Sequence, residues 1–298
     1  MNQKTKKQAG RSRMQLDEGF LERIVDQTVN ADESKIMDFS RRYYPLIKLM
    51  FNPQVIGSEN LPKKPALFVS NHSTLALDGF FLGPILHQEF GICARGLGDD
   101  FLFRKEGLAE LLIGIGGTLG HEQVCTALME NKKSMIVFPG GAHEANKPVK
   151  DRYTLRWKER SGFIRLAAKH GYTIVPLAMV GPDEWFDRYI EPEDFYETRL
   201  GKMLISMGVP EAMRHPDVTP PIIKGLFGTA IPRPIQSYLG IGKPLDLSEY
   251  QGMDLDKKTQ MRLRKKVADQ VESTIADLLV MQAQQKESAG FIRKLLTI

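Results

Sequence analysis

The sequence predicts an α/β fold: a single domain with a largely parallel mixed sheet flanked by helices, plus N-terminal helices and one long C-terminal helix. Three observations carry this. Short, continuously apolar runs such as ALFVS (66–70), SMIVF (134–138) and TIVPLAMV (173–180) are bounded by turn residues, as buried strands are. Stretches of helical pattern lie between them. No composition break, linker or internal repeat divides the 298 residues, and 42% apolar with 26% charged content suits an ordinary globular core.

Residues 1–13 read as a basic flexible tail, with Lys4, Lys6, Lys7, Arg11 and Arg13 and no acid. Taking those five from the 41 Lys and Arg leaves 36 against 36 Asp and Glu, so the net charge of +5 belongs to the tail. That argues against a basic nucleic-acid-binding domain. Two readings of the tail stand: a hold on an anionic membrane surface, at most about 1 kcal/mol per cation, or a solubilising extension. Residues 14–51 form an N-terminal helical element. Leu16, Phe20, Ile24 and Thr28 recur at spacing four, and Ser34 opens a second helix ending in YYPLIKLMF, which Pro45 should kink. That mixture of aromatics, aliphatics and lysine suits an interfacial helix or one packed on the core.

Residues 52–298 form the α/β domain. Strands are expected at 55–57, 66–70, 91–96, 134–138, 173–180 and 238–242, with helices near 78–88, 105–115, 121–131 and 160–170. Residues 183–228, with five prolines, read as loops and short helices. A last helix spans about Leu255 to Gln285, with Leu263, Val267, Val271, Ile275 and Leu278 on one face. The most apolar segment, LLIGIGGTLG (111–120), falls short of the ~20 residues a bilayer crossing needs. No secretory leader is visible. Cys93 and Cys125 cannot build a disulfide scaffold, so a reduced, cytosolic setting is the default.

The G-x-S-x-G elbow, the P-loop, H-E-x-x-H and G-x-G-x-x-G are missing. Gly114, Gly116 and Gly117 read as a close-packing turn. Asn71 and His72 directly follow ALFVS, and Asp78 lies six residues on from the histidine. At about 100° per residue, six helical steps would set the two side chains roughly 120° apart. They meet only if His72 sits in the strand-to-helix turn and Asp78 reaches back from the helix start. In an open α/β sheet that turn borders the crevice where ligands bind. A carboxylate on one imidazole nitrogen fixes the tautomer and leaves the other as a base, with an unperturbed pKa of ~6.5 suited to a hydroxyl proton. The ordinary alternative is a satisfied turn histidine.

FPGGAHEA (138–145) also follows a strand. Gly140 and Gly141 allow a tight turn and close backbone approach to a ligand, with His143 and Glu144 projecting; a plain strand-ending turn reads the same way. In GLGDDFLFR (96–104), Arg104 would bind an anion or cover Asp99 or Asp100. His87, His121, His170 and His215 read as surface or capping residues, Trp157 and Trp185 as packing, and Cys93 as an inert strand residue.

Taken in order, these segments resemble the glycerolipid acyltransferase superfamily, the relatives of 1-acylglycerol-3-phosphate acyltransferase. SNHSTLALDGFF is similar to its first motif, GLGDDFLFR to the second, VFPGGAHEA to the third and YTIVPLAMVG, with Pro176, to the fourth. LRWKERSGFIRLAAKHG resembles the helix of the diacylglycerol- and phytyl-ester-forming branch, as do the five residues between His72 and Asp78. The resemblance implies an O-acyltransferase acting on a glycerolipid hydroxyl. His72 would be general base and Asp78 its orienting partner, with Asn71, Arg104, Gly140, Gly141 and Glu144 binding substrate. The acyl group would come directly from acyl-CoA or acyl-carrier protein, with no metal or other cofactor. The implied partners are a lipid acceptor and a membrane surface, with no nucleic acid, and the implied place is cytoplasmic, peripherally attached to the inner face of a membrane. His143 stands where that branch usually has arginine, which would cost an acceptor phosphate one bidentate partner. Lys147, Lys150 and Arg152 would compensate or form a solvated loop. Water in place of the alcohol would make an acyl-thioester or lipid hydrolase, and loss of turnover a lipid-binding homologue.

Overall fold

The computed structural model describes residues 17–191, 194–207, 219 and 221–288; the basic tail 1–13, Leu16 and His215 lie outside them. The strands are β1 (Gln54–Ile56), β2 (Ala66–Ser70), β3 (Ala94–Gly98), β4 (Gly117–Leu119), β5 (Ser134–Val137), β6 (Thr173–Val180), β7 (Asp187–Ile190), β8 (Ile222–Lys224) and β9 (Tyr238–Ile241). Seven of them form one sheet in the order β1-β9-β6-β2-β5-β3-β4, and β7 pairs with β8 apart from it. Every pairing in the large sheet is parallel except β6 with β9. The helices are α1 (Glu18–Val29), α2 (Glu33–Phe51), α3 (Gly79–Phe90), α4 (Glu106–Gly114), α5 (Glu122–Glu130), α6 (Gly141–Ala145), α7 (Gly162–Lys169), α8 (Arg199–Ser206) and α9 (Lys257–Ser288). The expected α/β class is borne out.

The apolar runs are strands because both sheet faces are covered, so every residue of β2 and β6 is buried. Alternation still sorts their side chains. Leu67, Val69, Met135 and Ile174 enter one core with α1, α4, α5, α7 and α9. Phe68, Ile136, Val175 and Leu177 enter the other, with α2 and α3. The N-terminal helices therefore straddle the sheet. The buried stripe of α9 is the expected one: Leu263, Val267, Val271, Ile275 and Leu278.

Several elements depart from the sequence reading. Asp32 caps α2, accepting the N–H groups of Ser34 (2.9 Å) and Lys35 (3.4 Å), and the helix continues through Pro45 without ending. Ile36, Ser40, Tyr44, Ile47 and Phe51 of α2 are buried, so the helix packs on the core through that face, while Phe39, Leu46 and Leu49 are exposed. The glycine-rich turn carries edge strand β4, and the prolines of 183–228 did not reveal β7 and β8. Cys93 precedes β3 rather than lying in it. His87 is buried, with Nδ1 2.5 Å from Ser40 Oγ, and is no surface residue, whereas His121 does cap α5 through the Gln123 N–H. Trp157 and Trp185 are core residues; Trp185 stacks on Phe51 at 4.1 Å.

The topology sets the site. The chain leaves β2 for β3 and leaves β5 for β6, which are opposite directions along the sheet. The carboxyl ends of the adjacent strands β2 and β5 therefore border a switch point, where crevices form in open α/β sheets.

Candidate active site

His72 and Asp78 meet as the sequence predicts. His72 lies just past β2, and Asp78 is the N-cap of α3, accepting the Gly79 N–H at 3.0 Å. His72 Nδ1 is 2.9 Å from Asp78 Oδ2, which also accepts the Ser73 N–H at 2.5 Å. Asp78 is fully buried. The five-residue spacer closes because Leu75 and Ala76 both take left-handed backbone, φ 62° and 59°. Non-glycine residues pay about 1–2 kcal/mol each for that conformation, and such strain persists where surrounding contacts over-determine it. Here those contacts are Asp78 and an Arg188 Nη2 donating to Thr74 Oγ1 at 3.1 Å. The His72 ring stacks on Phe138 at 4.2 Å, so a residue from the end of β5 packs on the imidazole.

The P-G-G loop holds the other side. Glu144, on α6, is buried and accepts the His72 N–H at 2.9 Å and the Arg156 N–H at 3.4 Å. Burial pushes its carboxyl up to about 7, against the opposing pull of Lys147. Gly140 is required by this packing, since a Cβ there would lie 1.9 Å from Glu144 Oε2. Gly141 has φ 50°, and Arg160 Nη1 donates to the carbonyls of Pro139 (2.8 Å) and Gly140 (2.6 Å).

The nominated residues thus divide. Asn71 is spent on the fold: its Nδ2 donates to Met179 O (3.0 Å) and its Oδ1 accepts from Met179 N (2.8 Å), extending the β2–β6 ladder by a side chain. Glu144 likewise holds backbone. Arg104 is half-exposed and donates to Asp100 at 2.9 Å, the covering arrangement of the two foreseen. Lys147 is neither solvated nor open to a ligand: it is buried, donates to the His72 carbonyl and pairs with Asp183 at 3.0 Å. Arg152 donates to Phe186 O and Asp187, while Lys150 is exposed. Sequence reasoning missed Arg160, Asp183 and Arg188 because each meets its loop from a remote segment with no local spacing to mark it.

Chemically, the arrangement offers an imidazole whose Nδ1 is committed to a buried carboxylate, leaving Nε2 as the ring nitrogen able to take a proton. Among the described residues, no group of three or more His, Cys, Asp or Glu is arranged to hold a metal ion.

The chain is similar to several known proteins. Residues 52–180 match the Acyltransferase family. This region carries the acyltransferase signature. The resemblance seen in the four sequence blocks is borne out. Phytyl ester synthase 2, chloroplastic, of Arabidopsis thaliana is 30% identical over 240 residues, covering 74% of this chain and 33% of that protein. A Gallus gallus DGAT1/2-independent enzyme synthesizing storage lipids is 30% identical over 122 residues, 41% of this chain and 36% of its own. This chain spans about a third of the length of the phytyl ester synthases it matches. A solved structure, the 1-acyl-sn-glycerophosphate (LPA) acyltransferase of Thermotoga maritima, is 17% identical with a TM-score of 0.48, over 81% of this chain and 78% of that one. The matched region contains every site residue nominated from the sequence; Asp183 and Arg188, which brace it, lie just past its limit.

Proposed function

We propose that this chain is an O-acyltransferase that moves a fatty acyl group from an acyl thioester, acyl-CoA or acyl-carrier protein, to a hydroxyl of a glycerolipid acceptor. The observation that carries the reading is the 2.9 Å contact of His72 Nδ1 with buried Asp78 at the carboxyl end of β2. Asp78 holds the tautomer in which Nε2 is unprotonated. Nε2 removes the acceptor hydroxyl proton as oxygen attacks the thioester carbonyl. The C–S bond then breaks and the thiol leaves, with no acyl-enzyme. General base catalysis contributes of order 10²–10⁴-fold, about 3–5 kcal/mol. Arg104 stays an acceptor-side residue in this reading, while Asn71, Gly140, Gly141 and Glu144 act by shaping the two loops.

A peripheral site at the inner, cytoplasmic face of a membrane fits the same reading. No described helix is long and apolar enough to cross a bilayer. Phe39, Leu46 and Leu49 are exposed on α2, and Arg41, Arg42 and Lys48 lie on the same helix. That helix packs on α3, which Asp78 caps.

The test is acyl transfer from labelled acyl-CoA to a membrane lipid extract, with products resolved by mass spectrometry. His72→Ala should lose transfer by at least about 10²-fold while unfolding like the wild type. Unchanged turnover in that variant refutes the base assignment, and release of free acid without lipid product refutes transfer.

A further inference from the structure

We propose that Lys147 is a positioning residue of this active site, acting through the peptide carbonyl of His72. The inference rests on the proposed role of His72. His72 has four polar groups, and three are held by ionisable side chains, one from its own connection to α3 and two from the α6 segment. Its N–H goes to Glu144 on α6 at 2.9 Å, its Nδ1 to Asp78 at the start of α3 at 2.9 Å, and its carbonyl oxygen to the ammonium of Lys147, just past α6. Among the described residues only Nε2, the proton-accepting atom, takes no part in this clamp.

Lys147 is built into that place. Its side chain is 1% exposed, as is that of Asp183, 3.0 Å away. Asp183 is itself fixed by the Tyr153 N–H at 2.9 Å. The ammonium thus bridges three segments: the loop after β2, the end of α6 and the turn after β6. Its burial bars it from an acceptor phosphate, the role the sequence left open. A buried ion pair also tends to add little stability over apolar residues of the same volume. What this pair supplies is direction: with one N–H on the His72 carbonyl and another held toward Asp183, the ammonium fixes the His72 peptide, from which the imidazole projects. Misplacement of a base by about 1 Å costs of order 10²-fold in rate.

The experiment compares wild type with Lys147→Met, Asp183→Asn and the double variant, which removes both buried charges together and so avoids leaving one unpaired. Folding is checked by urea denaturation. With labelled acyl-CoA and a lipid extract, the double variant should retain the fold and the KM for extract while kcat falls about 10²-fold. Independently of turnover, ¹⁵N-histidine NMR, with His72 assigned through His72→Ala, should show its ring signals displaced and broadened in the double variant. A folded double variant with wild-type kcat and unmoved His72 signals overturns the proposal. So does a raised KM at constant kcat, which would make Lys147 a substrate ligand. If wild type transfers no acyl group, the function proposed for His72 fails, and the NMR comparison alone then decides whether Lys147 holds the ring.

Discussion

Glu144 accepts the peptide N–H of His72 at 2.9 Å although 72 residues separate them. The loop after β2 and the P-G-G loop after β5 are therefore one mechanical unit. The acid of the third motif holds the His72 backbone instead of reaching outward from its loop.

Gly140→Ala tests that unit. The added Cβ would lie 1.9 Å from Glu144 Oε2 and 2.4 Å from Glu144 Cβ, so Glu144 must withdraw from His72. We expect about 1–3 kcal/mol of destabilisation in urea, as overpacking gives, together with loss of acyl transfer. Gly107→Ala is the control: a Cβ there meets nothing within 4 Å, and both stability and activity should hold. Equal unfolding midpoints for Gly140→Ala and wild type would contradict the clash.

Asp78→Asn tests the orienting role. The carboxylate accepts from His72 Nδ1, Ser73 N and Gly79 N, all of them donors. Asparagine keeps one oxygen and turns the other position into a donor, which opposes the Nδ1–H tautomer. The rate should fall about 10²–10⁴-fold with little change in KM. Steady-state kinetics decide it, and a wild-type kcat would remove Asp78 from the mechanism.

The parts of this site that sequence exposed were local ones. His72 and Asp78 were legible because a strand end, a spacing and a helix start lie within a dozen residues. β2, β5 and β6 were legible because continuous apolar runs have few alternatives. The clamp was not, since Lys147–Asp183 and Arg188–Thr74 join segments 36 and 114 residues apart, and such pairs carry no periodic signal. Asn71 and Glu144 read as ligand-facing because a polar residue in a loop looks the same in sequence whether it meets backbone or ligand. The β7–β8 ribbon escaped for a different reason: its strands are three and four residues long and only partly buried, so they lack an apolar run.

Glu144 should impose a fall of stability with rising pH. Burial holds its folded carboxyl at about 7, against about 4.3 for an exposed glutamate. Between those values the folded state binds more protons than the unfolded one, so its stability declines as pH rises through that window and levels off above it. The span corresponds to about 3–4 kcal/mol. Urea titrations at several pH values should show wild type losing ground to Glu144→Gln from pH 4.5 to 7.

His87 should impose the opposite slope. Burial pulls its imidazole down to about 4, from an ordinary value of ~6.5. Here the unfolded state binds more protons between the two values, so stability present above pH 6.5 is lost as pH falls toward 4, again by about 3 kcal/mol. The Ser40 contact at Nδ1 and the Ala94 carbonyl near Nε2 (3.4 Å) hold the neutral ring in place between α2 and β3. The two slopes overlap and oppose each other, so the wild-type profile hides both. Replacing one group exposes the other: Glu144→Gln should gain stability with rising pH across 4.5–6.5, and His87→Gln should lose it. Parallel curves for the two variants would show that neither buried group titrates as its surroundings require.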